Sequence, residues 1–130
     1  VRILNRSRDR AEALAGEFGV SAQIQSLEDA TAFDGASLVI KATSLGMSGQ
    51  PPLEVDLSAT SENALVFDMV YAPLRTGLLE QAERLGRRTA DGLIMLVGQA
   101  RPAFEQFFGA PAPQHDGVRH GLLAALEQRA

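Results

Sequence analysis

The 130-residue sequence contains no cysteine and no tryptophan, and it has a single tyrosine. The lack of cysteine excludes a disulfide framework, a thiolate nucleophile and a thiolate-based metal site, and it suits a reducing cytosol. No apolar run approaches the roughly 18 residues that a membrane-spanning helix needs. The net charge of −4 also lacks the basic excess that generic binding to nucleic acid or anionic membrane requires. We therefore expect a cytoplasmic protein that binds neither nucleic acid nor membrane.

An initiator methionine and a secretory signal are missing as well. The first residue, Val1, already lies in a predicted strand rather than in a charged segment followed by an apolar one. We expect the chain to be a piece of a longer protein.

Short apolar runs alternate with segments of helical periodicity along the chain. The runs that predict strands are residues 1–4, 22–24, 38–40, 65–68 and 88–90. The segments that predict helices are residues 8–18, 74–85, 92–108 and 117–129, with a weaker helical turn over 27–33. This alternation predicts an α/β fold over residues 1–130, in which a Rossmann-like parallel sheet is flanked by helices.

Apolar residues three and four positions apart predict the buried face of each helix. In the first three helices these residues are Ala11, Leu14, Ala15 and Phe18, then Leu74, Leu78, Ala82 and Leu85, then Leu93, Leu96, Ala100, Ala103, Phe104 and Phe107. The apolar run at 38–40 is too short to show a period, and its bounding turn residues predict a buried strand.

The stretch after the first strand is rich in arginine. Asn5, Arg6 and Ser7 follow the strand, and Arg8 and Arg10 lie in the first turn of the next helix. At the end of the second strand of a Rossmann sheet, an acidic residue selects NAD, whereas an arginine accommodates the 2′-phosphate of NADP. An ordinary helix start, with Ser7 as N-cap and solvated arginines around it, explains the same residues. The spacing alone leaves both interpretations open.

Three further loops follow predicted strands, which is where open α/β sheets carry their ligands. Residues 41–47 offer hydroxyl groups, and residues 68–76 include Tyr71, although a Thr-Ser turn or a tyrosine at a strand end is more often structural. In residues 90–100, Gly92, Met95 and Gln99 share one helix face. A buried amide without partners costs roughly 1–3 kcal/mol, so Gln99 on that face needs a ligand or a neighbour.

Four motifs in this order resemble the C-terminal, NADP-binding domain of shikimate dehydrogenases. They are Asn-Arg-Ser-x-x-Arg-Ala at 5–11, Ala-Thr-Ser-x-Gly-Met at 42–47, Asp-Met-Val-Tyr-x-Pro-x-x-Thr at 68–76 and Asp-Gly-Leu-x-Met-Leu-x-x-Gln-Ala at 91–100. The resemblance extends from residue 1 to about residue 109. It implies an oxidoreductase of aromatic amino-acid biosynthesis, which reduces 3-dehydroshikimate to shikimate with NADPH.

The resemblance also implies roles for individual residues. Those that would form the pocket for the adenosine 2′-phosphate are Asn5, Arg6, Ser7 and Arg10. Those that would lie along the adenosine side of NADP are Thr43, Ser44 and Leu45. Those that would flank the nicotinamide are Met69 and Gly92, through their backbones, with Met95 packed nearby. Those that would contribute to the shikimate pocket are Tyr71 and Gln99.

The chain departs from the family pattern at two of these positions. Lys41 stands where the family usually has asparagine, which puts the detail of that loop in question. Ser7 replaces the more common threonine and keeps the hydroxyl group.

A larger departure is the absence of any Gly-x-Gly-x-x-Gly motif after an opening strand. The family's first Rossmann strand, that glycine-rich turn and the substrate domain with the catalytic residues would all precede Val1. We therefore expect no catalytic residue in this chain and no activity from it alone. Two alternatives are a quinate/shikimate dehydrogenase paralogue and a non-catalytic nucleotide-binding module.

The missing first strand has a consequence for the sheet. In the Rossmann order it lies between the second and fourth strands, which here are residues 1–4 and 38–40. We predict that these two strands pair directly, or that an intermolecular contact, such as a homodimer, fills the space between them. The third possibility is that residues upstream of Val1 are present and supply the missing strand.

Other polar clusters do not predict a site. The carboxylate pairs Glu28/Asp29 and Asp56/Glu62 lie in polar stretches typical of solvated surface. His115 and His120 lie in or beside the C-terminal tail without a matching acidic or cysteine partner, so we expect no metal site.

Overall fold

The computed structural model describes residues 1–127, in which strands and helices alternate as predicted. The strands are β1 (Arg2–Leu4), β2 (Gln23–Gln25), β3 (Leu38–Lys41), β4 (Leu65–Asp68) and β5 (Arg88–Ala90). The helices are α1 (Arg8–Glu17), α2 (Gly77–Arg84), α3 (Gly92–Phe108) and α4 (His115–Glu127). None of these helices is long and apolar enough to cross a membrane.

All strand pairs are parallel, and they form two sheets. β1 pairs with β2, while β3, β4 and β5 form a three-stranded sheet in that order. In the second sheet Lys41 at the end of β3 is aligned with Asp68 at the end of β4. The loops after β3 and β4 therefore leave the same edge of the sheet. The predicted Rossmann-like α/β fold is confirmed.

The predicted direct pairing of the first and third strands is wrong for the described residues. Within residues 1–127, β1 has hydrogen bonds to β2 only and β3 to β4 only. The chain before β3 is instead held on β1, because Nη1 of Arg2 donates to the carbonyls of Ala32 at 3.0 Å and Asp34 at 2.8 Å. The segment before β3 is thus linked to β1 by a side chain and not by strand pairing.

The core lies between β4 and α2, together with the segment that precedes β3. Its buried members are Ala32, Phe33, Leu57, Val66, Leu78, Leu79 and Ala82. The side chain of Gln81 accepts from the amide of Leu57 at 3.0 Å and donates to the carbonyl of Val55 at 2.9 Å, which fixes the long β3–β4 connection on α2. Because Thr76 is the N-cap, α2 begins at Gly77 and not at the predicted residue 74.

Two of the predicted buried helix faces are only partly buried. In α1, Ala11 is buried, but Leu14 and Phe18 are 47% and 68% exposed. The helix contacts the narrow β1–β2 sheet, which covers only part of its apolar face. In α3, the first two turns are buried through Leu93 and Val97, whereas Phe107 is 84% exposed. Ala100 and Ala103 are exposed too.

The third strand is also buried on one side only. Val39 packs against the core and Lys41 is buried, while Leu38 and Ile40 are more than half exposed. Alternate residues of a strand point to opposite faces, so the apolar run does not show that both faces are covered.

The remaining differences concern boundaries. β2 begins one residue later than predicted, and residues 27–33 form successive hydrogen-bonded turns rather than a helix. α4 begins at His115, two residues before the prediction, and the predicted end of this helix at residue 129 lies outside the described residues.

Candidate cofactor and substrate site

A cavity of about 250 Å³ lies between the loops that follow β3 and β4. One wall comes from the first of these loops and the other from the second. The lining residues are Ala42, Thr43, Ser44 and Met47 on one side and Met69, Val70, Tyr71 and Ala72 on the other. The amide of Ser48 donates to the carbonyl of Ala72 at 2.8 Å and so joins the two walls.

A buried ion pair lies at the base of both loops. Nζ of Lys41 is 2.7 Å from Oδ1 of Asp68, and the two side chains are 3% and 0% exposed. The same Asp68 oxygen accepts from the amide of Val70 at 2.9 Å, and Oδ2 accepts from the hydroxyl of Thr76 at 2.6 Å. Each carboxylate oxygen is thus hydrogen-bonded, as a buried charge requires.

The start of α3 approaches the second wall very closely. The amide of Gly92 donates to the carbonyl of Val70 at 3.2 Å, and a Cβ at Gly92 would lie 2.1 Å from the carbonyl oxygen of Met69. Only glycine fits such a contact between backbones. The structure therefore brings Met69 and Gly92 together, with half-buried Met95 one turn further along α3.

Asp91 caps α3 and also binds the last helix. Its Oδ1 accepts from the amides of Leu93 and Ile94, while Arg119 of α4 donates to both carboxylate oxygens at 3.0 and 2.6 Å. Desolvation alone would raise the pKa of Asp91, but Arg119 and the two amides outweigh it, so the pKa lies below its usual 3.8.

The four residues predicted for the 2′-phosphate pocket cluster at the N-terminus of α1. Oδ1 of Asn5 accepts from the amide of Ser7 at 3.3 Å, and Ser7 is the N-cap although its hydroxyl makes no capping bond. Arg8 forms an ion pair with Glu12 at 2.7 Å. Arg6 and Arg10 are exposed and have no ion pair within residues 1–127. The cluster follows β1, in the smaller sheet, and does not line the cavity.

The other predicted residues are placed less uniformly. Thr43 and Ser44 line the cavity, whereas Leu45 faces a small pocket beside Lys41 and Asp68. Tyr71 lines the cavity and is 42% exposed. Gln99 is exposed, so the prediction of a buried amide that needs a partner is wrong for this chain. It lies two turns along α3 from Gly92, beyond the buried Val97.

No group of three potential ligands that could hold a metal ion occurs among the described residues. Two features of the site are not evident from sequence motifs: the Lys41–Asp68 pair and the Arg119–Asp91 contact. A lysine at the end of an apolar run is the one signal that points to the first of them.

Comparison with known proteins gives a consistent result. No family model matches the chain. A relative named shikimate dehydrogenase (NADP(+)) from Sphingopyxis alaskensis is 50% identical over 126 residues, which cover 96% of this chain and 45% of the relative. Over nearly its whole length this chain is similar to shikimate dehydrogenases. It spans about half the length of the curated relatives that it matches.

Solved structures of two dehydrogenases have a similar fold. Shikimate dehydrogenase from Thermus thermophilus, in complex with NADP(H) and shikimate, is 31% identical with a TM-score of 0.77, and the match covers 92% of this chain and 44% of that one. A quinate dehydrogenase from Corynebacterium glutamicum, in complex with NAD, is 29% identical with a TM-score of 0.79 and covers 95% of this chain and 45% of that one.

Proposed function

We propose that residues 1–130 are the C-terminal, NADP-binding part of a shikimate dehydrogenase. The observation that carries the proposal is the 50% identity to a shikimate dehydrogenase (NADP(+)) over nearly the whole chain. The intact protein then reduces 3-dehydroshikimate to shikimate with NADPH in the cytoplasm. The match spans 45% of that relative, and the proposal assigns the substrate domain and the catalytic residues to the remainder of the intact protein.

The cluster at the N-terminus of α1 supports NADP over NAD. Asn5 at the end of β1 places no carboxylate beside the ribose, and the exposed guanidinium groups of Arg6 and Arg10 have no acidic partner in residues 1–127. Cations at a helix N-terminus oppose the helix dipole, whereas a phosphate there is favoured. A bound 2′-phosphate would offset that repulsion, with Ser7 as a further donor.

The cavity supports the placement of the rest of the cofactor and of the substrate. We assign the nicotinamide to the backbones of Met69 and Gly92, with Met95 beside it, and the adenosine side to Thr43, Ser44 and Leu45. The nicotinamide of NADPH supplies the hydride for reduction of the ketone. Tyr71 at the cavity and Gln99 on α3 are then the residues that this chain contributes to shikimate binding. An exposed Gln99 suits a role completed by another domain.

The experiment that tests the proposal compares arginine variants of the full-length protein containing this chain. A charge-assisted contact between arginine and phosphate is worth about 1.5–3 kcal/mol, so Arg6→Ala or Arg10→Ala should lower kcat/KM for NADPH roughly ten- to a hundredfold. The value for NADH should change little. Arg8→Ala is the matched control, because Arg8 is held by Glu12. Equal losses with both cofactors would contradict the 2′-phosphate assignment.

The similarity to a quinate dehydrogenase supports a second candidate, oxidation of quinate. Turnover of shikimate and quinate by the same full-length protein decides between the two substrates. If neither substrate is turned over while NADP still binds, the chain is part of a non-catalytic nucleotide-binding module.

A further inference from the structure

We infer that the Lys41–Asp68 ion pair is a positioning element that sets the separation of the two loops forming the cavity. The inference rests on the proposed function only in taking that cavity as part of the cofactor and substrate site. Lys41 is the last residue of β3, and Asp68 is the last residue of β4. Each residue therefore immediately precedes one wall of the cavity.

The pair is hydrogen-bonded to one wall and lies beside the loop that forms the other. Asp68 accepts from the amide of Val70, a lining residue, at 2.9 Å. On the other side, the ammonium group of Lys41 lies under the first loop, because a Cβ at Gly46 would be only 3.9 Å from Nζ. A change in the distance between Nζ and Oδ1 would thus move one wall relative to the other.

The backbone reinforces this coupling on either side of the pair. The carbonyl of Lys41 accepts from the amide of Met69 at 3.1 Å, and the amide of Ser48 donates to the carbonyl of Ala72 at 2.8 Å. The hydroxyl of Thr76, which caps α2, is bound to the second oxygen of Asp68 at 2.6 Å. The two loops and the start of α2 are therefore joined through one carboxylate.

If the ion pair only stabilises the fold, its variants should behave differently from variants of a pair that positions the loops. Removal of one partner of a buried ion pair leaves an uncompensated charge and is strongly destabilising, whereas removal of both is often neutral. Lys41→Met creates the first situation. Lys41→Met with Asp68→Asn creates the second, since an asparagine side chain still offers an acceptor to Val70 and a polar partner to Thr76.

The test measures amide hydrogen exchange at Ser48 and Val70 in the full-length protein, along with Tm and with kcat and KM for shikimate. Lys41→Met should lower Tm, accelerate exchange at both amides by at least about tenfold relative to β4 and β5, and lower kcat/KM for shikimate. The double variant should recover Tm but keep the fast exchange and the low kcat/KM. Recovery of all three quantities in the double variant would overturn the inference.

Arg87→Met is the matched control. Arg87 is half-buried and donates to the hydroxyl and carbonyl of Thr60 at 3.1 and 3.0 Å, at the edge of the sheet where β5 begins. Arg87→Met should lower Tm without faster exchange at Ser48 and without a change in kcat/KM for shikimate. Faster exchange at Ser48 in this variant would refute the positioning role of the ion pair. If the wild-type protein does not turn over shikimate, that result contradicts the proposed function. Amide exchange needs no substrate, so the exchange data would still decide whether the ion pair positions the two loops.

Discussion

Gly92 is the position at which a single added methyl group should disturb the packing of the site most. A Cβ there would meet the carbonyl oxygen and carbon of Met69 at 2.1 and 2.5 Å and the carbonyl carbon of Val70 at 2.7 Å. These are backbone atoms, so α3 or the cavity wall must move. We expect Gly92→Ala to lower the free energy of unfolding in urea by about 1–3 kcal/mol, the usual cost of overpacking.

Gly98 provides the control for this substitution. It lies in the same helix, and a Cβ there would have no atom within 4 Å. Replacement of glycine by alanine inside a helix stabilises it by roughly 0.5–1 kcal/mol. Gly98→Ala should therefore raise the free energy of unfolding. Similar changes in the two variants would show that the contact with Met69 is not tight in solution.

At the residue scale, a loop motif predicts where a residue lies better than it predicts which residues that residue contacts. The sequence places Thr43, Ser44 and Tyr71 after strand ends, and the structure puts all three at one cavity. The partnership of Lys41 with Asp68 depends on the register between β3 and β4, which no local pattern reveals. The burial of Gln99 depends on what covers the end of α3, and sequence periodicity does not report that.

Between elements, the contact of α4 with the start of α3 should depend on pH. The folded state lowers the pKa of Asp91, so this carboxylate contributes stability above its unfolded pKa of about 3.8. That contribution is lost as the pH falls through the lower, folded pKa. We expect amide exchange in α4 to accelerate relative to α2 as the solution is acidified below about pH 4.

Asp91→Asn separates the charge from the helix cap. Asparagine is as good an N-cap as aspartate, so α3 should still begin at residue 92. The variant should show weaker attachment of α4 at neutral pH and no further loosening in the acid range. If the wild type and Asp91→Asn lose the attachment over the same pH range, Arg119 does not act through this carboxylate.

Helix periodicity identifies an apolar face but not the surface that covers it. In α2, Leu78 and Ala82 of the predicted face are buried, because β4 and the β3–β4 connection lie against them, while Leu74 and Leu85 are partly buried. In α1 and α3 the same pattern includes Phe18 and Phe107, which the described residues leave exposed. Strand positions are predicted within about a residue, since turn residues bound each run. Burial needs the tertiary arrangement as well.

For the molecule as a whole, the arrangement of the sheets is the main result that sequence patterns do not give. The alternation of strands and helices predicts parallel pairing, which the structure confirms. It does not predict that β1–β2 and β3–β4–β5 form separate sheets, because strand order is set by contacts distant in sequence. Among residues 1–127, β3 has one hydrogen-bonded strand neighbour, and the side chains of Leu38 and Ile40 beside its free edge are 53% and 56% exposed.

An unpaired apolar strand edge tends to bind another strand. We therefore predict that residues 1–130, produced as a separate chain, associate in a concentration-dependent manner through β3. Sedimentation velocity over a range of concentrations measures this. Ile40→Lys places a charge beside the edge and should shift the chain towards the monomer. Phe107→Lys, on α3 away from both sheets, should leave the association unchanged if β3 is the contact. A wild-type chain that stays monomeric at all concentrations contradicts the prediction. If only Phe107→Lys abolishes association, the chains associate through α3 and not through β3.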